Sequence, residues 1–213
     1  MKKKIVHLIT GNEGGGAEQM LQKLILFSSN RYIHYVIFLK NQNKHKIRNN
    51  YNFNFSKNPI NFIIEFIKLT ILIKKIKPNI MMSWLYHCDF LIYIIAKLIK
   101  FPLEKILWNV RCSYLDLKDY SFITKLILSL LIKFSKNIGT IIFNSHEGKK
   151  YHQSIGYLNK NMITIPNGFD LNKFKFSKSK RKILKKKYKI KKEKVLGMIA
   201  RNDPTKNFEI FTE

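Results

Sequence analysis

Residues 4–21 read KIVHLITGNEGGGAEQML, and this stretch decides the fold. Residues 4–10 are a short apolar run rich in β-branched side chains that stops at Gly11, the pattern of a buried parallel strand entering a turn. Residues 17–27 place Met20, Leu21, Leu24, Ile25 and Phe27 at helical spacing. Strand, glycine-rich loop and helix make the first unit of an α/β layer. The loop between them, GNEGGG, lets backbone N–H groups approach a phosphate or a sugar closely, and the helix start behind it favours negative charge. Taken alone, the loop also reads as a tight turn with no ligand. Its spacing is not the G-x-G-x-x-G of dinucleotide folds, and no acidic residue ends the next strand near Leu39 to hold a ribose. A nicotinamide-dependent oxidoreductase is therefore disfavoured.

Outward from this unit the alternation continues. Strands are predicted at residues 35–39, 80–83, 105–110, 140–143 and 162–165, and helices at 59–76, 89–100, 121–134 and 145–154. Such regular alternation implies an α/β fold on a doubly wound parallel sheet. Residues 41–58, rich in Asn and Lys, read as a polar surface loop with room for a short helix or an edge strand. After Pro166-Asn167-Gly168 the pattern changes. Residues 178–194 carry eleven basic side chains, with Ile183, Leu184 and Tyr188 on one helical face, and 195–200 (VLGMIA) predict another buried strand. One strand and part of a helix cannot bury a core of their own. The expectation is a first domain over residues 1–170 and the beginning of a second, truncated domain over 171–213.

The chain has 213 residues, 46% of them hydrophobic, enough for a substantial core. Forty Lys and Arg against thirteen Asp and Glu give a net charge of +27, which favours anionic partners: phospholipid, nucleic acid or phosphorylated substrates. An excess of Lys, Ile, Asn and Phe spread along the whole chain is the competing, partner-free explanation. The basic residues are nearly all Lys, and no zinc, helix-turn-helix or RNP pattern accompanies them, which argues against nucleic acid. Cys88 and Cys112 have neither the density of a disulfide scaffold nor a metal-site spacing, so a reducing cytoplasm fits. The opening Met1-Lys2-Lys3-Lys4 resembles a signal n-region, but the apolar run behind it contains His7 and runs into the glycine turn, which argues against secretion. The apolar stretches 60–76, 90–101 and 122–134 are interrupted by Lys or Glu, and none reaches the roughly 18 to 20 residues that cross a bilayer. No HExxH, Cys/His cluster or Ser-His-Asp arrangement points to a metal or a triad.

Six segments, in order, resemble the family-4 glycosyltransferases. They are KIVHLITGNEGGGAEQML, KPNIMMSWLYHCDFL, ILWNVRCS, IIFNSHEGKKYHQSIGY, ITIPNGFDLNKF and LGMIARNDPTKNF. The resemblance implies a GT-B fold: a Rossmann-like acceptor-side domain followed by a second Rossmann-like domain, here incomplete, that binds the nucleotide sugar. It implies a UDP- or GDP-sugar as donor substrate, no cofactor and no metal. It also implies retaining transfer to a glycan or lipid-linked acceptor in cell-surface polysaccharide synthesis, in the cytoplasm or on the inner face of the cytoplasmic membrane.

The same resemblance places Gly15 and Gly16 in the cleft and gives Arg201 and Lys206 to the donor diphosphate, where fixed positive charge stabilises the leaving group. Without it, two basic residues in so basic a chain mean nothing. His87 and Arg111 lie at predicted C-terminal strand ends, where open α/β sheets bind ligands. The resemblance makes them catalytic-cleft residues touching donor sugar or acceptor, and a structural His and a surface Arg are the other reading. The run Ile165-Pro166-Asn167-Gly168-Phe169-Asp170 reads structurally, as a turn at a strand end with Phe169 and Phe174 packing at the start of the second domain. Further on, the family carries two glutamates separated by seven residues in its second domain, and this sequence ends before reaching them. The rival from another class is a non-catalytic acceptor-side module, bound to a partner chain or to an anionic membrane through residues 178–194.

Overall fold

The structure, a computed structural model, describes residues 2–11, 15–40, 48–114, 121–200 and 207–212. It divides into two compact units, Met1–Gly168 and Phe169–Glu213. In chain order the first unit runs β1 (Lys3–Ile9), α1 (Gly16–Ser28), β2 (Tyr32–Phe38), β3 (Asn50–Asn52), α2 (Pro59–Ile76), β4 (Ile80–Trp84) and α3 (Tyr86–Leu98). It goes on through β5 (Ile106–Val110), α4 (Phe122–Phe134), β6 (Thr140–Phe143), α5 (His146–Ser154) and β7 (Met162–Thr164). The seven strands form one sheet in the order β3-β2-β1-β4-β5-β6-β7, every pairing parallel. The expected α/β architecture is present.

Parallel strands are buried on both faces, which is why these runs are apolar almost throughout. Successive side chains serve opposite layers. Val6, Leu8, Ile37, Met81, Trp108, Ile141 and Phe143 form one core with α2, α3 and α4. Ile9, Val36, Phe38, Met82, Trp84 and Ile142 form another beneath Leu21 of α1. The split follows from chain direction: α1 connects β1 to β2 one way along the sheet, the later helices connect strands the other way, and right-handed crossovers put the two sets on opposite faces. The order turns between β1 and β4.

Side chains cap several of the helix starts. Asn58 Oδ1 accepts from the N–H groups of Ile60 at 2.9 Å and Asn61 at 3.2 Å, with Pro59 opening α2. Ser145 Oγ accepts from Gly148 N at 3.0 Å at the start of α5. Between 41 and 58, the edge strand β3 pairs with β2, while residues 41–47 lie outside the described ones.

Two expectations need correction. The third helix was predicted from Asp89 but begins at Tyr86, directly after β4, because Leu85 takes φ +73° and turns the chain at once into the helix. Residues 195–200 are not a strand: they have no regular structure, and Val195, Leu196 and Ile199 are exposed. A strand needs a hydrogen-bonded neighbour, and among the described residues none pairs with this segment. The second unit holds α6 (Lys178–Lys187), capped by Ser177, and the short α7 (Phe208–Thr212). Ahead of them Asp170 Oδ1 accepts from Asn172 N and Lys173 N, an Asx turn that brings Phe174 edge-on to Phe169.

Candidate functional site

Ligands of open α/β sheets bind beyond the C-terminal ends of the strands, where the strand order reverses. Here that point lies between β1 and β4, flanked by β5. The structure puts four of the expected residues there, all in the first unit. Gly15 and Gly16 open α1, with Gly15 as an extended N-cap that supplies no side-chain cap. A Cβ on Gly16 would meet nothing within 4 Å, and one on Gly15 would meet Glu18 Oε2 at 2.6 Å. The helix start thus combines backbone donors with the Glu18 carboxylate as acceptor, a set that suits the hydroxyls of a sugar better than a bare phosphate.

His87 lies not on the strand but in the first turn of α3, exposed. The positive-φ Leu85 that puts it there is held on several sides. Leu85 N donates to Asn109 O at 3.3 Å, and Leu85 O accepts from Cys88 N and Asp89 N at 3.0 Å each. Beneath the turn, Ser83 Oγ donates to Asp89 Oδ1 at 2.6 Å in a fully buried contact. Burial raises the Asp89 pKa to about 8, against which the Ser83 bond pulls only partly. A backbone residue at positive φ persists where its surroundings over-determine it, and such residues cluster at ligand sites. The pKa of His87 is lowered, first by desolvation and then by Lys40, which follows β2. Its imidazole is neutral at pH 7 and makes no hydrogen bond among the described residues.

Arg111, the first residue past β5, is half-buried and fixed. Its Nη1 donates to Asn167 Oδ1 at 2.8 Å, and its guanidinium carbon lies 5.0 Å from the centre of the Trp84 ring. Its Nε is buried and has no partner among the described residues, and desolvation lowers its pKa. This is not a surface arginine. Asn167, read from sequence as part of a turn, positions it. Arg201 and Lys206 lie outside the described residues.

The sequence reading missed what supports the site. Trp84 Nε1 donates to His7 Nδ1 at 3.4 Å, His7 Nε2 lies 2.9 Å from His34 Nδ1, and His34 Nε2 lies 3.0 Å from Ser28 Oγ. An indole can only donate, so His7 carries its proton on Nε2 and donates a hydrogen bond to His34 Nδ1; His34 Nε2 in turn donates to Ser28 Oγ, which donates to Leu24 O. Both imidazoles are neutral. Burial, then the neighbouring His34, lowers the His7 pKa to about 3, and burial lowers that of His34. The available signal was a histidine in the middle of each of two apolar strands.

A depression of about 690 Å3 lined by Lys2, Gln22, Tyr32, His34 and Arg48 lies by the strand starts, the opposite end from the groups above. Among the described residues no group of three or more His, Cys, Asp or Glu converges as a metal-ligand set, and no helix is long and apolar enough to cross a membrane.

No protein-family profile matches the chain, and no curated protein matches it. Solved structures do. Anabaena HepE in complex with UDP superposes with a TM-score of 0.78 at 19% identity over 99% of this chain and 56% of its own. HepE with UDP-glucose gives 0.76 at 19% identity, over 97% and 55%. Sucrose-phosphate synthase from Thermosynechococcus elongatus gives 0.63 at 11% identity, over 86% and 52%. UDP-N-acetylglucosamine 2-epimerase from Rickettsia bellii gives 0.60 at 14% identity, over 90% and 52%. The chain spans about half the length of these proteins. At such identities the likeness shows the fold, an α/β architecture of GT-B type.

Proposed function

We propose that the chain provides the acceptor-side domain, residues 1–170, and the beginning of the nucleotide-sugar domain, residues 171–213, of a retaining glycosyltransferase. The donor is a UDP- or GDP-sugar and the acceptor a glycan or lipid-linked glycan of the cell surface, with the protein in the cytoplasm or peripheral on the inner membrane face. The observation that carries this reading is the convergence of a pinned arginine, a neutral exposed histidine and an uncapped helix start at the switch point of a GT-B sheet. The UDP and UDP-glucose held by HepE support a nucleotide sugar as ligand.

In this reading Gly15 and Gly16 meet the sugar hydroxyls, while Arg201 and Lys206 hold the diphosphate and stabilise its charge as the glycosidic bond breaks. His87 and Arg111 face the reacting sugar. Catalysis rests on positioning and leaving-group stabilisation rather than on a protein nucleophile. An epimerase shares the fold, so the test has to separate binding from transfer. The complete reading frame that contains this chain is given a panel of UDP- and GDP-sugars, and thermal shift and transfer are followed. A shift with transfer to an added glycan supports the reading; epimerised or hydrolysed donor without transfer, or no response to any donor, overturns it.

A further inference from the structure

Helix α2, PINFIIEFIKLTILIKKI, has two apolar sides. The inner one buries Leu69, Ile73 and Ile76 against the sheet. On the outer one Ile60, Ile63, Ile64, Ile67 and Ile71 recur at three- and four-residue spacing, each between 45% and 70% exposed. An uninterrupted row of this length is not the scattered exposure of ordinary surfaces and marks an interaction face.

The charges around the row say what it meets. Exposed Lys74, Lys75 and Lys77 close its far end and Lys57 precedes it. The sole acid of α2, Glu65, is turned inward, where it accepts from Asn54 N at 3.1 Å and pairs with Lys68 at 2.9 Å. The outward face is therefore apolar and purely cationic. In the same helix layer α4 exposes Phe122, Ile123 and Leu126 beside Lys125 in its first turns and contains no acid. Both helices follow strand ends and so begin on the side of the sheet where the candidate site lies. A second copy of a chain with net charge +27 would bring like charge against this face, which disfavours self-association. A row of isoleucines edged by lysines instead matches a surface with apolar depth and negative headgroups.

We propose that the outer face of α2, joined by the first turns of α4, is the surface by which the protein rests on an anionic lipid bilayer. The isoleucines enter the boundary between headgroups and acyl chains, and the lysines meet the headgroups. This deepens the membrane part of the reading above, moves it from the lysine-rich α6 to the first unit, and needs nothing from the donor chemistry.

The test is co-sedimentation of the full chain with vesicles of phosphatidylglycerol and phosphatidylcholine, with phosphatidylcholine alone as control. Ile63→Glu/Ile67→Glu is expected to lower partitioning by about tenfold or more without a change in Tm, both positions being exposed. Ile67→Trp reports depth, its emission moving to the blue on anionic vesicles. Undiminished binding of the double glutamate variant, an unshifted indole, or binding abolished only by K185Q/K186Q/K187Q would overturn the proposal. So would a wild-type dimer in sedimentation velocity that the glutamates dissociate. UDP-sugar thermal shifts, measured in parallel without vesicles, report on the transferase reading separately: their failure leaves the vesicle result standing.

Discussion

Arg111 shows how much one side chain's surroundings matter. Its guanidinium bonds Asn167 and lies over Trp84, so it reaches the strand ends in one fixed orientation. Lysine keeps the charge but lacks the flat fork that does both. Arg111→Lys is expected to cost about 1 kcal/mol of stability, a neutral-partner hydrogen bond's worth, yet to lower kcat/KM for transfer by about 10- to 100-fold; thermal melts and steady-state kinetics check the two separately. His87 should behave differently. It is exposed and makes no hydrogen bond among the described residues, so His87→Ala is expected to leave Tm unchanged while kcat/KM falls about tenfold or more. Its pKa lies below the usual 6.5, so the imidazole is neutral at pH 7 and charges only in acid. The wild-type rate should fall as pH drops through that value, and the profile of His87→Asn should be flat there.

At the scale of elements, the junction of β4 and α3 does most to shape the site. Leu85 at φ +73° and ψ +156° costs on the order of 1–3 kcal/mol, and the bonds to Asn109, Cys88 and Asp89 offset it. Asp89 adds a second strain. Its folded pKa of about 8 exceeds the 3.8 of an unfolded aspartate, so the fold favours the neutral acid: this contribution is fully present below about pH 4 and lost as pH rises towards 8. Asp89→Asn keeps the acceptor for Ser83 and carries no charge to desolvate. It is expected to raise Tm by several degrees at pH 8, where 1 kcal/mol is worth roughly 2–4 °C in a chain of this size, and to change it little at pH 4. Thermal scans of both proteins at the two pH values decide.

Over the whole molecule, His7 works against Asp89. His7 drops from 6.5 to about 3 on folding, so its neutral form is stabilising, fully present above pH 6.5 and lost as pH falls towards 3. Between about pH 4 and 6.5 the two slopes cancel. Of these two groups only His7 acts below that window, where stability falls with acid, and only Asp89 above it, where stability falls with base. A plot of Tm against pH should therefore show a plateau with shoulders near 4 and 6.5, and Asp89→Asn should abolish the fall above 6.5 and turn the plateau into a rise that continues up to about 6.5. The Trp84–His7–His34–Ser28 chain is the structural cost of acid, because a second ring proton on His7 would face the indole N–H.

What the sequence by itself determined was the alternation. Strand runs buried on both faces and helical spacing are local patterns, and they predicted the parallel sheet and nearly every helix. It also named His87 and Arg111 as strand-end residues, and the resemblance it carries put Gly15 and Gly16 in the cleft. Tertiary structure decided the rest, because the deciding contacts join distant positions. Arg111 and Asn167 are 56 residues apart in the chain, and Trp84 and His7 are 77 apart. Asp89 looked like a helix start until the turn at Leu85 buried it. Helix α2 is apolar around its circumference, so periodicity could not say which isoleucines face out; that was fixed only when the sheet took the other side. Residues 195–200 have a strand's composition but no paired neighbour among the described residues, and a lone strand cannot satisfy its own backbone.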